Sequence, residues 1–439
     1  MQRMKILVTG ATGLIGSNLR AALLNRGHEV VGVARRPPTD TGGQWIALDL
    51  GQASTEDWRR CLVGVDAVVN CVGILRESGS QRFQDLHYRG PARLFDACLA
   101  SGVRRVVQVS ALGADQMAQT EYHRSKRAAD EHLLGLPLNA VIVQPSLVFA
   151  VDGASSRALL TLASLPVVPL PAGGHQGLQP IALADLVAAL LSLLTDEAAA
   201  RRFNHQRIAM VGPRPLTLAT YLAALRQGMG LGRGLTVAIP AFLMQIGARI
   251  GDTLGRWLPG LLLDSDSWQM LQRGNVADAG AVTSLLGRSP READQFIAPA
   301  RADEVRSSAS MGWLQPLARL SLALVWIVTA YVSAFVYPVA DSYELLARTG
   351  VPEAWRPAAL YGAALLDLLL GLATLVPPHG QRWRQWLYPL QGGLILVYTA
   401  LISWRMPEFW SHPYGPLLKN LPMLALIAWL HCLEPKRRA

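Results

Sequence analysis

Lys5-Ile-Leu-Val-Thr-Gly-Ala-Thr-Gly-Leu-Ile-Gly16 is the stretch on which the reading of this chain turns. Its apolar run, Ile6 to Val8, predicts a short buried strand that breaks at Thr9-Gly10, and Ser17-Asn-Leu-Arg-Ala-Ala-Leu-Leu24 continues at helical period. Three glycines between a strand and a helix point to a phosphate site because each has a physical task. Gly10 allows the tight turn, Gly13 lets the backbone approach a pyrophosphate, and Gly16 lets the helix pack on the strand. The helix N-terminus then presents free N–H groups and a partial positive charge to the anion.

Outward from this loop, strand and helix patterns alternate to about residue 150. Strands are expected at Glu29–Ala34, Ala67–Asn70, Val106–Ser110 and Val141–Gln144, with helices between them such as Pro91–Ser101, closed by Gly102. This predicts an α/β class with a doubly wound parallel sheet, residues 1–150 forming a Rossmann dinucleotide-binding domain. From 151 to 300 the pattern loosens, with helices at Ala184–Leu194 and Leu218–Arg226 and a short strand near Thr236–Ile239. That segment reads as a smaller α+β substrate region over the sheet's carboxyl edge, where open α/β sheets bind ligands. A polar linker is expected over 301–312.

Beyond the linker the composition changes. Half of the 439 residues are hydrophobic (51%), only 16% are charged, and mean hydropathy is +0.24, too apolar for an ordinary soluble enzyme. Leu320–Ala340 carries no charge and would span roughly 30 Å as a helix, one hydrocarbon core. Ala358–Val376, Trp386–Trp404 and Leu417–Leu433 follow, so 313–434 is expected to be an all-α bundle of four membrane spans. Arg382, Arg384 and the 435–439 tail (Lys436, Arg437, Arg438) are basic, whereas the first outer loop is slightly acidic. The positive-inside rule then puts both termini in the cytoplasm, in an inner membrane, and no signal peptide is expected before the first strand. Net charge is +10 but scattered in short clusters, which suits an anionic lipid surface and not a nucleic acid. The four cysteines show no metal-type spacing and read as structural thiols.

Tyr122-His-Arg-Ser-Lys126 follows the strand ending at Ser110 and places Tyr122 and Lys126 on one helix face. A lysine cation there stabilises tyrosinate, lowering a phenol pKa that starts near 10, and can hold a ribose. Cofactor choice follows from the end of the second strand. An NAD site places a carboxylate there, whereas this chain has Ala34 followed by Arg35-Arg36, which favours a 2′-phosphate and hence NADP(H) over NAD(H). Two solvated surface arginines are the plainer alternative, as a turn carboxylate is for Asp49.

These phrases, with Val69-Asn-Cys-Val-Gly73, Val109-Ser-Ala-Leu-Gly-Ala-Asp115 and Gln144-Pro-Ser-Leu-Val-Phe149, resemble an extended or atypical short-chain dehydrogenase/reductase. The likeness extends to the branch related to the accessory Rossmann subunit of respiratory complex I. It implies Tyr122 as general acid/base, Lys126 as its partner and Ser110 as a substrate-oxygen donor. Relatives commonly place that Ser or Thr one or two residues later, where Ala111 and Leu112 stand, and carry Arg where Gln144 stands. The implied cofactor set is Gly10, Thr12, Gly13, Leu14, Ile15, Gly16, Arg35, Arg36, Asp49, Leu50, Asn70, Gly73, Lys126 and Pro145. His87, where relatives carry a helix Asn, reads as a packing residue.

Residues from about 312 resemble the DoxX-like four-helix membrane family, through His412-Pro-Tyr-Gly-Pro-Leu-Leu-Lys-Asn-Leu-Pro422 and Gly362-Ala-Ala-Leu-Leu-Asp-Leu-Leu-Leu-Gly371. Asp367 lies mid-span and should face the bundle interior, where it could form a polar site with His412, Lys419 and Asn420 or simply tie helices together. Two functions follow from the resemblances. One is a membrane-anchored oxidoreductase acting on a hydrophobic carbonyl, alcohol or quinone-like molecule. The other is a cofactor-binding assembly factor for a membrane protein complex.

Overall fold

The structure is a computed structural model that describes residues 3–39, 43–254, 264–376 and 383–434. Arg382 and the basic tail used in the topology argument lie outside the described residues. The chain divides into two compact units, Met1–Ala309 and Ser310–Ala439.

Unit 1 opens with β1 (Lys5–Thr9), α1 (Leu14–Asn25), β2 (Glu29–Ala34), β3 (Gln44–Ala47), α2 (Thr55–Cys61) and β4 (Ala67–Asn70). A π-helical turn, Gln84–Arg89, runs into α3 (Gly90–Ala100), followed by β5 (Arg105–Val109), α4 (Glu121–Leu134) and β6 (Ala140–Pro145). The remainder comprises β7 (Val148–Phe149), α5 (Ala154–Ser164), β8 (Val167–Pro171), β9 (Gly177–Leu178), β10 (Ile181–Ala182), α6 (Leu183–Thr195) and α7 (Glu197–Arg202). Then come β11 (Gln206–Met210), β12 (Leu216–Thr217), α8 (Leu218–Gly228), β13 (Leu235–Ile239), α9 (Ala241–Leu254), α10 (Ser265–Arg273) and α11 (Gly280–Leu286).

Seven strands form one parallel sheet in the order β11-β6-β5-β4-β1-β2-β3. Both faces are covered, so its strands are apolar throughout and alternate between two cores. In β1, Ile6 and Val8 pack with Leu19 and Leu23 of α1 and Leu190 of α6, whereas Leu7 faces Trp58, Phe95 and Leu133 on the other side. The strand order reverses between β1 and β4, and open α/β sheets bind ligands at the carboxyl ends beside such a switch point.

Two boundaries differ from the sequence reading. The sheet is not complete at residue 150: its last strand, β11, comes from the segment expected to lie over it. Residues 301–312 are not an extended linker, because α12 (Ala302–Tyr331) begins at Ala302 and buries Val305 and Ala309, one turn apart, against Leu222 and Ile297 of unit 1. Their alanines, arginines and glutamate are good helix formers, and one apolar stripe suffices to dock the turn.

In unit 2, α12 runs on through a π turn (Val332–Val336) and is followed by α13 (Val339–Arg348), α14 (Arg356–Leu375), α15 (Arg384–Arg405) and α16 (Asn420–Leu433). Among the described residues, three helical stretches are long and apolar enough to cross a membrane, Pro299–Val336, Glu353–Leu375 and Arg384–Arg405. The first ends at Val336 and not at Ala340, because Pro338 lacks the N–H needed to continue. The fourth expected span shortens to the 14 residues of α16, roughly 21 Å, because Pro422 confines the helix start to the preceding turn. Leu322, Trp326, Leu370, Tyr388, Ile395 and Leu430 form the core of the bundle.

Candidate functional site

The glycine loop has the geometry of an anion cradle. Gly10 sits at φ +64°, and a Cβ there would lie 2.9 Å from the Cys71 carbonyl carbon and 3.0 Å from the Val72 nitrogen. A Cβ on Gly16 would overlap the Gly10 carbonyl oxygen, so α1 can approach the loop only through glycine. Gly13 is the N-cap of α1 and supplies no side-chain acceptor, and the first turn holds no acidic residue. The first-turn N–H groups are therefore left for an external anion. Thr12, Gly13 and Leu14 are exposed and Ile15 is half-buried. These residues fit a dinucleotide pyrophosphate.

Beneath the cradle, side chains lace the carboxyl ends of three strands. Thr9 Oγ1 donates to Asn70 Oδ1 at 2.6 Å, and Asn70 Nδ2 donates to Gln108 Oε1 at 2.7 Å. Asn70 Oδ1 also accepts from the Val72 N–H, and the residue is wholly buried. Its side chain thus lies under the crevice floor, fixing the Cys71–Gly73 loop, and not on the surface. Gly73 faces Lys126: a Cβ there would come within 3.0 Å of Nζ.

Thr120 caps α4, accepting from the His123 N–H, which sets Tyr122 in the first turn and Lys126 one turn on. Lys126 is buried and its Nζ donates to Val72 O and Val109 O, both at 3.1 Å. It makes no hydrogen bond to Tyr122 among the described residues. Burial pushes the Tyr122 phenol up to about 12, the opposite of the expected depression, while the Lys126 ammonium bonds the two carbonyls. Tyr122 is half-buried, edge-on to Phe83, His87 and His123.

Ser110 points elsewhere. Its Oγ donates to Asp130 Oδ2 at 2.6 Å, so as placed it offers no proton to a ligand. Asp130 follows Lys126 by one turn and completes a Tyr122–Lys126–Asp130 stripe along α4 that the motif reading stops short of. Burial pushes the Asp130 carboxyl up and the Lys126 ammonium down, and each opposes the other's shift. An i, i+4, i+8 spacing of Tyr, Lys and Asp was the available signal.

His87 is a structural histidine. Its Nε2 accepts from the Ile74 N–H at 3.0 Å, leaving the proton on Nδ1, 3.0 Å from Ser125 Oγ. Burial, with the Lys126 cation second, pushes it down to about 2, so it is neutral at any physiological pH.

Arg35 and Arg36 are exposed just past β2 and form no ion pair among the described residues. Asp49 accepts the Gly51 N–H at 3.0 Å, as a turn carboxylate does, and Leu50 is buried with its carbonyl against Gly90. Pro145 closes β6, its carbonyl accepting the Leu112 N–H at 2.9 Å. A cavity of about 720 Å³, lined by Leu170, Ala219, Leu222, Arg226 and Thr236 among others, shares no residue with this site.

In unit 2 the four polar residues singled out from sequence are not joined. Asp367 is buried on α14 without a hydrogen bond among the described residues, Asn420 Nδ2 donates to Thr399 Oγ1 at 2.8 Å, and His412 and Lys419 are exposed.

Comparison with known proteins agrees with this division. Residues 6–163 match the NAD dependent epimerase/dehydratase family and residues 323–428 the DoxX-like family. The chain joins an epimerase/dehydratase-type Rossmann domain to a DoxX-like domain. An Arabidopsis thaliana protein described as NADH dehydrogenase [ubiquinone] 1 alpha subcomplex subunit 9, mitochondrial, is 27% identical over 206 residues, 43% of this chain and 50% of its own. The ceramide reductase of Caulobacter vibrioides is 27% identical over 171 residues, 38% of this chain and 53% of its own. The chain spans between a quarter and about half of the length of the curated relatives it matches. Among solved structures, MoeE5 in complex with UDP-glucuronic acid and NAD superposes with a TM-score of 0.51 at 24% identity, covering 69% of this chain and 99% of that one. That likeness establishes the fold.

Proposed function

We propose that unit 1 binds NADP(H) in preference to NAD(H) and acts as an oxidoreductase on a hydrophobic carbonyl, alcohol or quinone-like substrate. Unit 2 anchors it in an inner membrane through four spans, with both termini cytoplasmic. One observation carries the reading: the uncapped end of α1, the Cys71–Gly73 loop, Lys126 and Tyr122 follow one another along the carboxyl edge at the switch point. The first-turn N–H groups, with Thr12, Gly13, Leu14 and Ile15, would hold the pyrophosphate. Arg35 and Arg36 would grip a 2′-phosphate, Asp49 and Leu50 would border the adenine, and Gly73, Lys126 and Pro145 would border the nicotinamide riboside. A bound nicotinamide would exchange a hydride with the substrate carbon. Tyr122 moves the proton at the substrate oxygen, and a phenol held up to about 12 is protonated at neutral pH, which suits reduction of a carbonyl. Ser110 becomes a donor to substrate only if it leaves Asp130.

Calorimetry on the full chain in nanodiscs tests the cofactor claim. NADPH should bind more tightly than NADH by roughly 10- to 100-fold, the value of one or two charge-assisted hydrogen bonds, and Arg35→Ala with Arg36→Ala should erase the difference. Gly16→Val should abolish binding of both. With binding intact, Tyr122→Phe should stop NADPH oxidation against a panel of lipid carbonyls and quinones; equal turnover in variant and parent removes Tyr122 from the chemistry.

A second reading has its own support. The Ser110–Asp130 hydrogen bond and the absence of a Tyr122–Lys126 hydrogen bond among the described residues suit a bound cofactor with a structural role, in an assembly factor for a membrane protein complex. Co-purification of such a complex, without turnover on the panel, would favour it.

A further inference from the structure

We infer that the surface formed by β13 and α9 is a second membrane contact, seated in the headgroup region of an anionic bilayer. The inference goes beyond the oxidoreductase reading and does not need it. Within sixteen residues, Leu235, Val237, Phe242, Leu243, Ile246 and Ile250 are each between 47% and 72% exposed. In α9, Phe242, Ile246 and Ile250 fall at i, i+4 and i+8 with Leu243 beside them, an apolar arc of about 100°. The opposite side of the helix is already used: Ala248 is buried and Gly251 with it, and α9 packs on α10. The apolar arc is therefore a second face, not a misplaced core face, and an exposed apolar face of this kind on a folded unit marks a docking surface.

Charge identifies the occupant. From Leu235 to Gly251 the chain contains one charged residue, Arg249, and Asp252 follows it at the end of α9. Arg249, beside Phe242 on the helical wheel, is exposed and forms no ion pair among the described residues, as is true of Arg233 just before β13. An apolar face with an arginine on its flank, and with the helix's acid, Asp252, engaged by Ser265 of α10, is the pattern of a helix lying in a lipid interface, where a cation near the surface adds attraction to anionic headgroups. A protein partner would ask for a mixed, hydrogen-bonding rim. Among the described residues, three helical stretches from Pro299 onward are long and apolar enough to cross a bilayer, so the covalent chain keeps unit 1 within reach of one.

The position of this surface bears on the site. Asp252 at the end of α9 bonds Ser265 of α10, and Asp264, the N-cap of α10, pairs with Arg76 at 2.7 Å. At the far end of α10, Arg273 donates to Gly113 O at 2.9 Å and to both oxygens of Asp115 at 2.7 and 2.6 Å. Gly113 abuts His123, the ring neighbour of Tyr122. The lipid-facing helix is thus linked through the length of α10 to the loop that abuts the ring neighbour of Tyr122.

The test uses the full chain in nanodiscs of phosphatidylglycerol and phosphatidylcholine, with a spin label at Phe242→Cys, Ile246→Cys or, as control, Gln245→Cys, all in a Cys432→Ser background. Labels at 242 and 246 should be relaxed by oxygen and shielded from a nickel chelate, with an oxygen-to-nickel ratio several-fold above that at 245. Equal nickel access at 246 and 245 overturns the inference, since the face is then in water. Shielding at 246 from both reagents also overturns it, since protein then covers the face. Nucleotide calorimetry on the same samples is independent of either result.

Discussion

Asp130 in unit 1 and Asp367 in unit 2 are both carboxyls almost sealed from solvent, and they are supported differently. Asp130 accepts from Ser110 at 2.6 Å and lies one turn from the Lys126 ammonium. Asp367 has no hydrogen-bond partner among the described residues. The contrast extends beyond this pair. Unit 1 gives its other buried acid, Asp185, both Arg288 at 2.6 Å and the Arg291 N–H at 2.7 Å. Unit 2 closes Trp326, Gln391 and Thr374 into one chain of hydrogen bonds and clasps Glu434 between Arg319 and Arg384 at 3.0 and 2.8 Å. Buried polar groups are normally partnered. Asp130 also leaves one oxygen, Oδ1, without a partner, but Asp367 has no hydrogen bond to either oxygen among the described residues, and an ionisable group placed so within a span marks a functional position.

The largest effect should come from the clasp. Glu434→Gln leaves two guanidinium groups, one of them nearly buried, without their shared anion. Breaking a buried pair from one side costs about 3–5 kcal/mol. Thermal unfolding of the detergent-solubilised chain should fall accordingly, and Arg319→Met added to Glu434→Gln should restore part of the loss. An unchanged melting temperature in the single variant would show that the clasp is solvated, and the contrast between the units would narrow.

The next effect belongs to unit 1 and has a sign. His87 has its folded-state pKa pushed down to about 2, whereas an unfolded histidine titrates near 6.5. Its contribution is therefore complete above about pH 6.5 and is lost as pH falls, by about 1.4 kcal/mol per pH unit, or roughly 2 kcal/mol by pH 5. Hydrogen exchange in α3 and α4 should accelerate over that interval after correction for intrinsic rates, and His87→Asn should flatten the dependence. A slope that survives the substitution assigns the effect to another group.

Much of unit 1 was legible because its signals are local. The glycine loop, the apolar strands and the Tyr122–Lys126 spacing each depend on neighbours within a few residues: β1, the turn at Gly10 and α1 follow in that order, and Tyr122 and Lys126 lie one turn apart on α4. What escaped depends on distant partners. β3 is a short, half-exposed strand whose pairing comes from β2. Ser110 looks like a ligand donor until α4 brings Asp130 beneath it. The phenol of Tyr122 looks acidic until its burial is seen, with Lys126 bonded to two backbone carbonyls. In unit 2 the hydropathy of the spans was plain, but their ends were set by Pro338 and Pro422, single residues that a window average does not weigh.

The smallest expected effect is the most discriminating. Asn is nearly isosteric with Asp, so Asp130→Asn and Asp367→Asn change charge and hydrogen bonding while keeping volume. At 130 the substitution removes the anion opposite Lys126 and sets an amide against the Ser110 hydroxyl, which should cost about 1–3 kcal/mol. At 367 there is no protein partner to lose among the described residues, so the bundle's melting temperature should move by less than the equivalent of about 0.5 kcal/mol, as for a substitution away from any such feature. Both are read by unfolding the same detergent-solubilised chain, with exchange in α4 and α14 reporting each unit separately. A loss above about 1 kcal/mol at 367 would mean that the carboxyl holds the bundle together, in the range of measured interhelical hydrogen bonds. In that case Asp367 joins Gln391 and Thr374 as structural glue, and the difference between the two units disappears.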